Sequence, residues 1–258
     1  MSIEQTHNRL SKILPDFGVC DFAAIEPYLL PCRAASRLPV GAQSVITAVF
    51  PYLLPEEQYA NRNVARFAAV PDYHKIVLAR LERACEILSL EYPGEAFVPF
   101  ADNSPLPEKR AALLSGLGVI GQNALFIHPR WGSWVFLGCI VTTMHNAKCT
   151  VRKYGGNLTG TIKCSHCGKC EAACPTKAIS GGKVDKGKCL SFLSQRKDAN
   201  REVLARLSGV LWGCDICQEV CPMNAGVPAE PLEEFAAGAM PVWDPAARER
   251  VWAWRFGG

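Results

Sequence analysis

The chain has 258 residues, of which 49% are hydrophobic and 20% charged, with a formal net charge of +4. That suits one large folded domain or two ordinary ones, and the mild basicity tolerates an anionic partner without demanding one. The N-terminus MSIEQTHNRLSKIL has no apolar signal core and no apolar run is long enough to span a bilayer, so secreted and membrane classes are set aside and a cytoplasmic, reducing location is expected.

In chain order, residues 4–14 have the pattern of a short helix and 19–25 (VCDFAAI) that of a strand. SVITAVF (44–50) is β-branched and follows Pro39 and Gly41, which predicts a stronger strand. Over residues 72–90, Ile76, Val77, Ala79, Leu81, Ala84, Ile87 and Leu88 recur at helical spacing. AFVPF (96–100) reads as a short strand, Ser104-Pro105 as the start of a helix to about Leu114, and WVFLGCIVTT (134–143) as a buried strand. This alternation predicts an α/β or α+β domain over residues 1–150. Residues 146–163 are polar and Gly-rich, as in a linker. A metal module is expected over 151–227, with short helices near 188–196 and 199–208, and a tail over 228–258 whose helix docks through Trp252 and Phe256.

The chemistry is concentrated in eight cysteines. Cys164, Cys167, Cys170 and Cys174 read C-x2-C-x2-C-x3-C before Pro175; Cys189 stands alone; Cys214, Cys217 and Cys221 read C-x2-C-x3-C before Pro222. The first run is the bacterial ferredoxin pattern, in which three close thiolates hold one [4Fe–4S] cluster and the cysteine before proline serves the other. That rule assigns Cys164, Cys167, Cys170 and Cys221 to one cluster and Cys174, Cys189, Cys214 and Cys217 to the second. Zinc also uses C-x2-C pairs, but it does not account for four cysteines spaced x2, x2, x3 with a proline. Cys85 and Cys139 lie on apolar faces and read as inert core. His166, inside the first run, reads as a neighbour of the cluster rather than a ligand. The lysines and arginines between Lys148 and Lys188 lack interleaved aromatics and read as a solvated surface.

Gly116-Leu-Gly118-Val-Ile-Gly121 matches G-x-G-x-x-G, but a helix precedes it and no helical pattern follows, so it reads as a helix C-cap and tight turn rather than a dinucleotide loop. Asp102 ends a short strand just before a helix. It is either a turn residue or a proton donor whose burial raises its pKa.

Several stretches together resemble the epoxyqueuosine reductases: LPVGAQSVI (38–46), PDYHK (71–75), DNSPLPEKR (102–110), GLGVIGQNALFIHPRWGSWVFLGCIVTT (116–143), CSHCGKCEAACPTKAI (164–179), KCLSFLS (188–194) and WGCDICQEVCPMN (212–224). The resemblance implies an α+β chain, in which a nitroreductase-like or reductive-dehalogenase-like α/β domain is followed by a ferredoxin-like double-cluster module. It implies cobalamin held between the two and fed electrons by a cluster, with Asp102 as proton donor. Residues matching corrinoid contacts are Gly121 and Asn123 (with Gln122 where the family has lysine), Ser191, Asp215 and Ile216, and also Arg33, Tyr73 and His74. The expected activity is reduction of an epoxide, epoxyqueuosine in tRNA becoming queuosine, with a flavodoxin or ferredoxin as electron donor. Most members continue past the second proline into a helical-repeat domain that helps hold tRNA, and a short member without it is expected here. The alternatives are a corrinoid-dependent reductase of a small molecule, a ferredoxin-type electron carrier without corrinoid, and a protein whose clusters only stabilise an interaction surface.

Overall fold

The structure, a computed structural model, describes residues 3–145 and 163–244. The expected linker and the docking helix of the tail therefore lie outside the described residues. Helix α1 (Ile3–Leu10) leads to strands β1 (Asp16–Asp21) and β2 (Ser44–Pro51), helix α2 (Tyr73–Glu91), strand β3 (Phe97–Phe100), helix α3 (Glu108–Leu114), the short strands β4 (Val119–Ile120) and β5 (Phe126–Ile127), and strand β6 (Val135–Thr142). Beyond residue 163 come α4 (Lys169–Ala173), β7 (Ile179–Ser180), β8 (Lys183–Val184), α5 (Leu190–Ser194), α6 (Arg201–Ser208), α7 (Ile216–Glu219) and α8 (Glu233–Ala237). The content is mixed helix and strand, and no described helix is long and apolar enough to cross a membrane.

The chain divides into two compact units that interleave along the sequence. Unit 1 comprises residues 1–50, 74–119 and 135–163; unit 2 comprises 51–73, 120–134 and 164–258. The boundaries expected from sequence, 1–150, 151–227 and 228–258, ran in simple succession, whereas the structure draws 51–73 and 120–134 together with the cysteine segment.

Unit 1 is built on a four-stranded sheet in the order β1-β2-β6-β3. Strand β1 pairs antiparallel with β2 and β3 antiparallel with β6, with Phe100 opposite Cys139. Strand β2 is buried at every position, as its continuous apolar run requires. Alternate residues of a strand face opposite sides. On one side, Gly138 leaves room for α2, since a Cβ there would come within 2.7 Å of Val77 and 2.8 Å of Leu81. On the other side, Cys20, Val45, Cys139 and Val141 join Phe22, Ile25, Phe100, Leu106 and Ala111 in one core. Cys85 and Cys139 are buried, as expected.

Three element boundaries differ from the sequence expectation for local reasons. Helix α1 stops at Leu10 and passes into turns before Pro15, with the Ile13 and Leu14 N–H groups both donating to the Leu10 carbonyl, at 2.9 and 2.8 Å; Pro15 keeps Leu14 itself out of the helical region. Strand β1 ends at Asp21 and a 3-10 turn, Phe22–Ala24, replaces its expected second half. Helix α3 begins at Glu108 rather than Ser104. Pro105 and Pro107 keep their preceding residues extended, while the Ser104 hydroxyl accepts from the Leu106 N–H at 3.0 Å.

In unit 2 the segment 51–73 is stitched to the late chain by backbone hydrogen bonds: Leu211 to Asn63 at 2.7 Å, Ala65 to Trp212 at 2.8 Å and Met240 to Ala69 at 2.6 Å. Gly213, at φ +80°, lies against this segment. A Cβ on it would meet Ala65 Cβ at 2.4 Å.

Candidate functional site

The eight cysteines all lie in unit 2. Cys170 opens α4 and is buried; Cys174 ends that helix ahead of Pro175. Cys189 caps α5, while Cys214 and Cys217 flank Asp215 at the start of α7. The side chains fall into two quartets. Cys221 has Cys164 and Cys167 as electrostatic neighbours, and Cys170 has Cys221 and Cys164. Cys214 neighbours Cys189 and Cys174, and Cys217 neighbours Cys214 and Cys189. Cys170 is also a neighbour of Cys217, so the quartets adjoin.

The first quartet lines a cavity of about 310 Å³, counting space open to solvent, together with Gly121, Gln122, Ile127 and Pro222. Backbone N–H groups point at the sulfurs. The Ala178 N–H donates to Cys174 Sγ at 3.3 Å. The Lys169 N–H reaches Cys167 and lowers its pKa, with the Ser165 side chain adding to this. Burial pushes Cys214 up to about 11 and Cys217 up to about 12 as free thiols. Local charge does not favour their thiolate forms, which coordination to a metal would stabilise. A tetrahedral zinc draws its sulfurs to about 2.3 Å from one point. Among the described residues no group of three or more Cys, His, Asp or Glu side chains is placed to hold a single metal ion. His166 is exposed, at φ +50°.

Behind the second quartet stands a polar network, in which the sequence reading named Asp215, Asn123 and Gln122 but missed Glu56, Tyr59, Arg62 and Arg66. Asp215 is 3% exposed. Its Oδ2 accepts from Arg62 Nη1 at 2.9 Å and from the Arg66 N–H at 2.7 Å, and burial raises its carboxyl to about 6. Arg66 pairs with Glu56 at 2.8 Å and lies over the Tyr59 ring. Asn123, also buried, donates to the Cys217 carbonyl at 3.4 Å, and Gln122 donates to Glu171 at 3.1 Å. Among the described residues, Asp215 Oδ1 and Gln122 Oε1 are buried acceptors without a hydrogen-bond partner. Ser191 occupies the first turn of α5 and Ile216 opens α7, both partly buried. Gly121 is buried beside Asn123 and Ile127. The arginine and aromatic positions of 51–73 carry no ligand spacing. Their only signal in the sequence is a run of charge beside aromatics (Glu56, Tyr59, Arg62, Arg66) ahead of the PDYHK stretch.

Unit 1 holds Asp102, the residue that the resemblance marks as a proton donor. Asp102 follows β3 with φ +50°, a left-handed conformation that a non-glycine residue adopts only when its surroundings hold it there. Its Oδ2 lies 2.9 Å from His74 Nε2 at the start of α2, and its N–H donates to Glu108 Oε1 at 3.1 Å. The expectation of a buried carboxyl with a raised pKa is corrected. The Asp102 side chain is 60% exposed. Its hydrogen bond to His74 holds the carboxyl below the usual aspartate value, and the partial burial that opposes this is the smaller effect. The raised carboxyl belongs instead to Glu108, which burial, reinforced by the charge of Asp102, pushes up to about 8. Arg33 stands exposed in a 3-10 turn of unit 1, and Tyr73 is the first residue of α2. Gly116, at φ +64°, closes α3 through hydrogen bonds from Gly116 to Leu113 at 2.9 Å and Leu117 to Ala112 at 3.0 Å. This is the C-cap expected for the G-x-G-x-x-G stretch.

Comparison with known proteins follows the same division. Residues 33–103 match the family model for the epoxyqueuosine reductase QueG, and residues 163–224 match a 4Fe-4S double cluster binding domain. An epoxyqueuosine reductase of Synechococcus sp. (strain RCC307) is 33% identical over 222 residues, covering 85% of this chain and 63% of the relative. One from Vibrio cholerae is 31% identical over 80% of this chain and 56% of its own length. The solved structure of epoxyqueuosine reductase from Streptococcus thermophilus superposes with a TM-score of 0.72 at 22% identity, over 90% of this chain and 69% of that one. A reductive dehalogenase structure bearing on B12-dependent dehalogenation gives 0.55 at 16% identity, over 97% of this chain and 35% of that one. These matches define a mixed helix-and-strand iron–sulfur protein with a double-cluster segment. The chain belongs to the epoxyqueuosine reductase family. It spans about three-fifths of the length of the curated relatives it matches.

Proposed function

We propose that the chain is an iron–sulfur reductase that removes the epoxide oxygen of epoxyqueuosine in tRNA, using two [4Fe–4S] clusters and cobalamin, with electrons from a flavodoxin or ferredoxin. The observation that carries the reading is the Asp102–His74 pair, Oδ2 to Nε2 at 2.9 Å, within a chain whose cysteines stand as two adjoining quartets. One solved family structure was obtained with a tRNA-Tyr stem loop carrying epoxyqueuosine, and the substrate is taken from that likeness.

Cys164, Cys167, Cys170 and Cys221 would hold one cluster, and Cys174, Cys189, Cys214 and Cys217 the other. The N–H donors at Cys167 and Cys174 offset negative charge on the sulfurs, which raises a cluster's potential. The orphan acceptors Asp215 Oδ1 and Gln122 Oε1 suit amide N–H groups such as those a corrin ring carries. Gly121, Asn123, Ser191 and Ile216 would line that ligand in unit 2; Arg33, Tyr73 and His74 are assigned to it by the family resemblance alone. When bound, the clusters and the corrinoid supply single electrons at low potential to the substrate. The chain's own residues do the rest. Arg62 and Arg66 fix Asp215 and so the loop that presents Cys214 and Cys217. His74 orients Asp102, which delivers a proton to the leaving oxygen; with the two electrons and a second proton from solvent, the oxygen would depart as water.

The test is an anaerobic assay of cluster-reconstituted protein with cobalamin, a chemical reductant and a tRNA stem loop bearing epoxyqueuosine. Conversion to queuosine is the expected result. Turnover of a small epoxide without conversion of the RNA would replace the substrate, and protein that holds its clusters but retains no corrinoid would leave an electron carrier.

A further inference from the structure

Three groups meet at the Asp102 turn, and the proposed mechanism uses only two of them. Glu108 lies in the first turn of α3, fixed there by Pro105 and Pro107, and its Oε1 accepts the Asp102 N–H at 3.1 Å. The titratable groups that face it are Asp102 from the turn after β3, His74 from α2 and Cys139 from β6. Asp102 is ionised at neutral pH because His74 holds its pKa down, so in the resting protein the aspartate carries no proton of its own to give. Burial and the neighbouring negative charge keep Glu108 protonated to about pH 8. Charge repulsion between paired carboxyls splits their protonation in this way.

We infer that Glu108 is a positioning residue that also stores the transferable proton: its neutral carboxyl clamps the Asp102 backbone in the left-handed turn and passes its proton forward to the Asp102 carboxylate as that group protonates the substrate. The step balances without redox change. Glu108-COOH and Asp102-COO⁻ become Glu108-COO⁻ and Asp102-COOH, Asp102 gives the proton to the developing alkoxide, and Glu108 regains one from solvent. An alkoxide is far more basic than either carboxylate and draws the proton along the pair. The inference rests on the reading of Asp102 as the acid of the reaction.

The sign of the pH effect follows. The protonated form of Glu108 is the competent one, so turnover falls as pH rises through about 8. The test pairs Glu108→Gln, which keeps the acceptor and loses the proton, with Glu108→Ala, which loses both. The expected result for Gln is a kcat lowered about tenfold or more with KM little changed, and loss of the alkaline break. Gln keeps the Asp102–His74 pair, seen as an unchanged imidazole signal, whereas Ala disturbs it. Independently of turnover, pH-difference infrared spectra of the cluster-loaded protein should show a protonated carboxyl C=O band that disappears near pH 8 in wild type, is absent in Glu108→Gln and titrates lower in Asp102→Asn. A Gln variant with wild-type kcat and the same alkaline break overturns the inference, as does a Glu108 carboxyl that ionises in the ordinary glutamate range. Full activity of Asp102→Asn would sink the reading of Asp102 and leave the infrared result standing, which separates the two failures.

Discussion

Asp102 occupies a backbone conformation that costs an ordinary residue on the order of 1 kcal/mol. It is held there by two side chains that come from different helices, His74 on α2 and Glu108 on α3. The substitution Asp102→Asn preserves shape and removes the carboxylate through which the proton would pass to the substrate. It is expected to leave iron content and visible spectrum unchanged and to lower turnover about 10²- to 10⁴-fold. Anaerobic assay beside an iron determination checks this, and unchanged turnover would remove Asp102 from the mechanism. At this scale the cysteines were legible and the acid–base environment was not. Cluster ligation is written in short covalent spacings, so x2, x2, x3 and a proline suffice. The pKa order of Asp102 and Glu108 depends on which carboxyl ends up buried and which one reaches His74. Both are properties of packing between segments 28 residues apart. The raised pKa expected of Asp102 therefore belongs to Glu108, a residue the sequence does not single out.

Among the elements, strands β2 and β6 and helix α2 matched their sequence patterns closely, the strands because a continuous apolar run is buried on both faces and the helix because its apolar residues recur on one buried face. The misplaced boundaries all fell beside prolines or 3-10 turns, where one or two residues decide the backbone and periodicity is silent. The loop that delivers Cys214 shows how tightly some connections are specified. Gly213 has φ +80° and no space for a Cβ, while Gly209, the C-cap of α6, has φ +75° with nothing within 4 Å of the position. Gly209→Ala is expected to cost about 1 kcal/mol from backbone strain alone. Gly213→Ala adds a collision with Ala65 and Phe67 and is expected to cost about 2 kcal/mol or more. Thermal or denaturant unfolding of the two variants checks the difference. Equal costs would mean that the 63–67 segment gives way easily.

For the whole molecule, two cubanes require about eight irons per chain after anaerobic reconstitution. The two-quartet arrangement adds that Cys217→Ser should lower iron to about four per chain while the quartet ending in Cys221 keeps its cluster. Iron analysis with paramagnetic resonance of the reduced protein decides this. Loss of all iron would mean that the two sites fill cooperatively. The chain's organisation at this scale was the least legible part. Residues 51–73 and 120–134 contain ordinary loop and turn signals, and nothing in their composition announces that they complete the cysteine-bearing unit. Their membership is set by backbone hydrogen bonds such as Leu211 to Asn63 and by Asp215 meeting Arg62, which are long-range pairings without a local pattern.

That interleaving limits how the protein can be cut. The polypeptide passes between its two units at 50/51, 73/74, 119/120, 134/135 and 163/164. A transplantable ferredoxin cassette would need a single seam. A fragment of residues 163–244 made alone would retain every cluster cysteine but lose Arg62, Arg66 and Asn123, so it is expected to aggregate or hold less iron than the full chain, as circular dichroism and metal analysis would show. A single crossover between residues 51 and 163 would split both units, one before residue 51 would split unit 1 and one after residue 163 would split unit 2. No single exchange therefore hands on the cysteine-bearing unit and the Asp102-bearing unit separately and whole.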